Sequence, residues 1–166
     1  AGFDACSEIS FDSLEAMDAG FASEYYRSQV VADEQVLVDK TRFLMLLAER
    51  RLLHGGTPPA DAVKLLTFFP VDPRSSREAL VDLLGGAYVE KVASSGRLRH
   101  EQLVEIPGAH EGRIPAVFAA ADLLWFATAD EAVAFATGDL GHEVGYLLAG
   151  TTFGAQRIVA EPVTVV

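Results

Sequence analysis

The chain switches repeatedly between two hydrophobic periods, and the switches divide it into elements. Near the amino terminus Phe3, Ala5, Ser7, Ile9 and Phe11 fall on alternate positions, a period that predicts a strand. At Asp12-Ser13 the period lengthens. Leu14, Met17, Phe21 and Tyr25 step by three and four, which is one apolar face of a helix. Ser13 suits its N-cap, with Glu15 and Asp18 near the positive end. After "SQVVADEQVLVD" comes "TRFLMLLAERRLL", residues 41–53, apolar on both sides for most of its length. A strand buried on two faces reads this way. "HGGTPPAD", residues 54–61, holds two glycines and two prolines and reads as a linker.

Beyond the linker the order is regular. "AVKLLTFFPV" predicts a strand running into the turn "DPRSS". "SREALVDLLGGAYVEKVASSG" predicts a helix capped by Ser75 or Ser76, with Leu80, Leu83 or Leu84, Ala87 and Val92 on its apolar side. In "RLRHEQLVEIPG" the residues Leu98, His100, Gln102, Val104 and Ile106 share one face, and Arg97, Arg99, Glu101 and Glu105 the polar one. A third strand, "VFAAADLLWFA", meets a helix capped by Thr128, with Val133, Ala136, Leu140, Val144 and Leu147 along its stripe. "GAQRIVAEPVTVV" closes as a fourth strand. The plan β-α-β-β-α-β makes the fold α+β and ferredoxin-like, with strand order 4-1-3-2.

Aligning Phe11 with Phe126 sets Ser13 on Thr128 and Glu15 on Asp130, so the strand-to-helix corner occurs twice. Residues 1–53 then correspond to the second half of a first module, 54–61 to a linker, and 62–166 to a complete second module. The first half-module lacks its central strand. Either a stretch precedes Ala1 in the native chain or another segment fills the gap.

"GFDACSEISFDSLEAM" followed by "VVADEQVLVDKTRFLMLLAE" resembles the second half of an EthD-type domain, and "VKLLTFF", "SREALVDLL" and "ADLLWFATADEAVAF" resemble a complete copy. The resemblance implies a dimeric α/β barrel: two ferredoxin-like sheets packed face to face, in a homodimer or an intrachain pseudo-dimer. It also implies cofactor-free chemistry of isomerase, cyclase, dehydratase or decarboxylase type on a hydrophobic carbonyl or aromatic compound. A lyase or isomerase is one expectation. A non-catalytic binder of hydrophobic metabolites, or a structural tandem barrel, is the other. Single-copy relatives carry a His and a nearby Pro at the end of the first helix. Here that region reads "LLGGAYVEK", with Tyr88 near the place.

Composition narrows the partners. The formal charge of −11 repels nucleic acid and anionic membranes. No run of apolar residues is long enough to span a bilayer. The single cysteine, Cys6, fits a cytoplasmic protein without internal disulfides and lies on the face of Asp4 and Glu8, which argues against a thiolate nucleophile. The histidines 54, 100, 110 and 142 lack metal-ligand spacing, and no motif calls for a cofactor.

His100 is the first candidate for chemistry. It projects from an apolar strand face beside Gln102, where an imidazole serves as acid or base or is satisfied structurally. Tyr88 is the second, a phenol able to donate to a substrate carbonyl or to fill the core. Gln102, Trp125 and Phe68 are candidate substrate contacts, with Phe69, Phe126 and Phe135 completing an aromatic wall or simply the core. Asp122 and Glu8 take equivalent strand positions, as sheet carboxylates or solvated strand ends. His110 and Arg113 occupy a loop suited to a flap. His142-Glu143 reads as solvated.

Overall fold

The computed structural model describes residues 5–163. They fall into two compact units, Ala1–Met45 and Leu46–Val166.

In the first unit, helix α1 spans Leu14–Ala22, a π-helical turn covers Tyr26–Val30, and α2 follows at Val31–Leu37. Ser13 caps α1 as expected, its hydroxyl accepting from the Ala16 amide at 3.1 Å. Met17 is buried, and Phe21 packs between Phe11 and Tyr26. One expectation needs correction. Phe3 lies outside the described residues, and residues 5–11 form no strand. An alternating sequence needs a ladder to complete its backbone hydrogen bonds, and none includes this run among the described residues. The acidic segment after Tyr25 is helical; Tyr26 Oη donates to Glu34 at 2.6 Å and Lys40 pairs with the same carboxylate.

The second unit carries one antiparallel sheet. Its strands are β1 (Ala48–His54), β2 (Val63–Pro70), β3 (Arg99–Glu105), β4 (Phe118–Phe126) and β5 (Gln156–Ala160), in the order β1-β3-β4-β2-β5. Without β1 this is the 4-1-3-2 arrangement of a βαββαβ module. The helices are α3 (Arg77–Gly85), α4 (Ala87–Val92), α5 (Ala129–Thr137) and α6 (Asp139–Leu148). Ser76 and Thr128 cap α3 and α5 by accepting from the amides three residues on. The two long helices expected from the sequence are each broken, at Gly86 and Gly138. At Gly86 the backbone leaves the helical region (φ −112°, ψ −105°), which re-aims α4.

The core lies between the helices and one sheet face: Leu65, Phe69, Leu80, Leu84, Tyr88, Val92, Leu124, Phe126, Phe135, Val144 and Leu148. Each fully buried aliphatic or aromatic side chain contributes about 1.5–3 kcal/mol of transfer free energy.

The strand expected at 41–53 is β1, shorter than the apolar run and exposed after Ala48. It pairs with β3 alone and sits at the sheet edge, while α3 and α5 lie over β2, β4 and β5. Because β1 flanks it, β3 is an interior strand. Glu101, on the face that carries the charged residues, is accordingly buried (1% exposed). Burial alone would raise its carboxyl. Hydrogen bonds from Arg99 and Trp125 and the charges of Arg50 and Arg99 outweigh that, holding it below the usual carboxylate range.

Candidate functional site

Alternation along β3 and β4 sorts the candidate residues onto two faces. Even-numbered residues of β3 face the helices. Across the ladder Gln102 stands opposite Asp122, and His100 opposite Leu124. Asp122 is therefore a diagonal neighbour of His100 on the helix-facing side. From above, α4 lowers Tyr88 onto the same spot.

The result is a line of three hydrogen-bonded groups. Tyr88 Oη donates to Asp122 Oδ2 at 2.7 Å, and His100 Nε2 meets Asp122 Oδ1 at 2.6 Å. All three are buried, with His100 at 0%, Asp122 at 1% and Tyr88 at 2% exposure. A carboxylate only accepts, so His100 carries its proton on Nε2. The opposite ring nitrogen, Nδ1, is buried and has no hydrogen-bond partner. Burial pushes the Tyr88 phenol well above its ordinary value, and the charge of Asp122 and the bond to it add to the rise. Tyr88 is thus a donor throughout the physiological range. Chemically, the carboxylate orients the imidazole and stabilises an imidazolium, leaving Nδ1 as the available base.

Gln102 shares the face but is committed elsewhere, its Nε2 donating to the Leu84 carbonyl at 2.9 Å and tying β3 to α3. Trp125 and Phe68 project from the other face, away from the helices. There Trp125 Nε1 donates to Glu101 Oε2 at 3.2 Å, Lys64 Nζ lies 4.5 Å from the indole centre, and Phe68 packs on Phe118. The candidate list therefore divides: His100 and Tyr88 meet through Asp122, whereas Trp125 and Phe68 are separated from them by the sheet.

Asp122 is the member that sequence reasoning undervalued. Its signal lies within the apolar run "VFAAADLLWFA", where it falls in step with Leu124 and Phe126.

Next to the trio comes the segment joining α4 to β3. Arg97 Nη1 donates to the Val92 carbonyl at 2.7 Å. Burial lowers the Arg97 guanidinium, and the carboxylate of Asp122 opposes that fall.

Two open depressions lie elsewhere. One, of about 470 Å³, is lined by Asp139, His142, Glu143 and Tyr146 on α6. The other, of about 490 Å³, is lined by Arg77, Glu105 and the loop from Gly108 to Ala116. In that loop His110 Nδ1 meets the Ile114 carbonyl at 2.6 Å and Nε2 accepts from the Leu47 amide at 3.0 Å, while Arg113 bonds the Ala109 carbonyl. Cys6 is exposed. Among the described residues no group of three or more His, Cys, Asp and Glu is arranged to hold a metal ion, and no helix is long and apolar enough to cross a membrane.

Comparison with known proteins gives one family match: residues 1–41 match the EthD domain. No curated protein matches the sequence. Among solved structures, a hypothetical protein of Arabidopsis thaliana shares 13% identity over 70% of this chain and 96% of its own, with a TM-score of 0.50. A dimeric protein of unknown function and ferredoxin-like fold from Bacteroides fragilis shares 19% identity over 61% and 96%, with a TM-score of 0.46. A candidate monooxygenase from Lactobacillus acidophilus shares 13% identity over 90% and 65%, with a TM-score of 0.47. At 13% identity the likeness to the Arabidopsis protein is one of fold alone.

Proposed function

We propose, for a chain that is EthD-type over residues 1–41 and ferredoxin-like in its second unit, a cofactor-independent small-molecule enzyme of proton-transfer type. It would act on a hydrophobic carbonyl or aromatic compound, as an isomerase, cyclase, dehydratase or decarboxylase. The carrying observation is the bare, buried Nδ1 of His100, whose other nitrogen is held by Asp122. In this reading His100 is the base and Asp122 orients it. Tyr88 keeps Asp122 in place, and the imidazolium of His100 returns the proton it took. Gln102 fixes β3 under the helix. Trp125 and Phe68 belong to an apolar wall on the sheet's far side, where Phe68, Leu103, Trp125 and Ile158 are half-buried. That wall is the surface on which a second sheet would pack, from a second copy or from a tandem module. Residues 1–53 would be the tail of such a module, 54–61 the linker and 62–166 the complete unit, in a cytoplasmic protein.

The test is mass spectrometry of a panel of hydrophobic ketones, lactones and aromatic carbonyl compounds incubated with the protein. The expected result is a product from the wild type and a rate lowered about 10²–10⁴-fold in His100→Gln, with the near-ultraviolet circular dichroism retained. Equal rates in the two proteins overturn the reading.

The complete burial of the trio favours a second reading, in which the network is a satisfied polar insertion in the core and the protein binds ligands without converting them. That reading predicts saturable binding and no product, and a His100 variant that alters only stability.

A further inference from the structure

The loop joining β3 to β4, residues 106–117, is fastened to the chain just ahead of β1 through the backbone of one residue. The Leu47 carbonyl accepts from the Ile106 amide at 3.0 Å, and the Leu47 amide donates to His110 Nε2 at 3.0 Å. The first bond extends the β1–β3 ladder by one step. The second needs the imidazole in one particular form. Its other nitrogen, Nδ1, lies 2.6 Å from the Ile114 carbonyl oxygen, which only accepts. The ring proton therefore sits on Nδ1, and Nε2 offers a lone pair to Leu47. His100 is placed differently. A carboxylate accepts from an imidazole in either charge state, whereas a backbone N–H is satisfied only by the neutral ring. Protonation turns Nε2 into a donor and sets two N–H groups against each other.

We propose that His110 is a pH-controlled latch on this loop. Neutral, it fastens the loop to the start of β1; protonated, it releases Leu47 and frees the loop while the β1–β3 ladder stays paired. The loop is built for such a change. Gly108 and Gly112, at φ 78° and 71°, bracket His110 and give the backbone two turning points that other residues rarely supply. Between them and after them the loop holds itself: the Arg113 amide donates to the His110 carbonyl at 3.0 Å, and Arg113 Nη1 to the Ala109 carbonyl at 2.6 Å. Charges reach the depression beside His110 from three elements. The loop brings Glu111 and Arg113, β3 brings Glu105, and α3 brings Arg77, which pairs with Glu105 and donates to the Phe118 carbonyl at 3.3 Å. The charge nearest Leu47 along β1 is Glu49, which is exposed. Arg77 and Arg113 offset Glu105 and Glu111, so the hydrogen-bond pattern decides which form of the ring fits. The loop forms one wall of this depression of about 490 Å³, and the latch thus sets how open it is.

Amide hydrogen exchange followed by NMR on the full chain tests the latch, with the histidine ring resonances recorded on the same samples. After correction for intrinsic exchange, Leu47 should lose protection roughly 3–10-fold between about pH 8 and about pH 5, in step with titration of the His110 ring. Ile106 is the internal control. Its bond to the Leu47 carbonyl needs no imidazole, so its protection should hold across the same window. In His110→Gln a side-chain oxygen accepts at every pH, and the dependence at Leu47 should vanish. His142→Gln, which alters an exposed histidine of α6, should behave as the wild type does. The wild-type comparison of Leu47 with Ile106 stands even where a variant fails to fold. Four results overturn the proposal: constant protection of Leu47 while the ring titrates, a His110 ring that stays neutral throughout, loss of Leu47 and Ile106 together, or an unchanged dependence in His110→Gln.

Discussion

Replacing Asp122 with Ala strips two buried donors of one acceptor. Tyr88 Oη at 2.7 Å and His100 Nε2 at 2.6 Å both lose their partner, and neither reaches solvent, being 2% and 0% exposed. An unsatisfied buried polar group costs about 1–3 kcal/mol, so the pair together costs about 2–6 kcal/mol. Against a total stability of about 5–15 kcal/mol for a domain, that is a large fraction. Tyr88→Phe instead removes one hydrogen bond to a charged acceptor, worth about 1.5–3 kcal/mol. The sharper expectation concerns the double variant. In the Asp122→Ala background the Tyr88 hydroxyl is already orphaned, so Tyr88→Phe becomes neutral or stabilising. Urea denaturation followed by circular dichroism reads all four corners of this cycle. Additive effects of the two substitutions, or an Asp122→Ala loss below about 1 kcal/mol, would refute the network as described.

Two glycines of α6 make a matched pair. A Cβ on Gly141 would lie 2.2 Å from the Phe135 carbonyl oxygen and 2.9 Å from that of Ala136, so Gly141→Ala should destabilise by about 1–3 kcal/mol or more, whereas Gly145→Ala, with nothing within 4 Å, should stabilise by about 0.5–1 kcal/mol; thermal unfolding separates the signs. Asp72, held by the side chain and then the backbone amide of Arg74, has its carboxyl lowered to about 2. Its folded pKa lies below its unfolded one, so its stabilisation is complete above about pH 4 and fades as the pH falls toward 2. The stability difference between wild type and Asp72→Asn should shrink across that window, and a constant difference would contradict the assignment.

Much of the second unit was legible in residue patterning. The period changes located β2, β3, β4 and β5, and the small hydroxyl residues before the helices marked Thr128 and the pair Ser75-Ser76 as caps, of which the structure uses Ser76. Strict alternation in "RLRHEQLVEIPG" placed His100 and Gln102 on one face. What escaped had physical reasons. Residues 5–11 alternate correctly, yet alternation supplies no partner for a ladder. The run at 41–53 shows apolarity but not position, and an edge strand needs no second covering face. The burial of Glu101 was not legible because it depends on β1, a segment about fifty residues away. Asp122 was hard to read because β4 is apolar on both faces, which erases the alternation that would have flagged it. Trp125 and Phe68 carried aromatic character but no sign of which face they would take relative to His100.

The central claim is that His100 turns a proton on Nε2 toward Asp122 and leaves Nδ1 without a partner. Nitrogen NMR of the histidine-labelled protein measures this directly, without knowledge of a substrate. A far-downfield proton on Nε2 together with an unprotonated Nδ1 is the outcome expected. A proton on Nδ1 with Nε2 bare would contradict it.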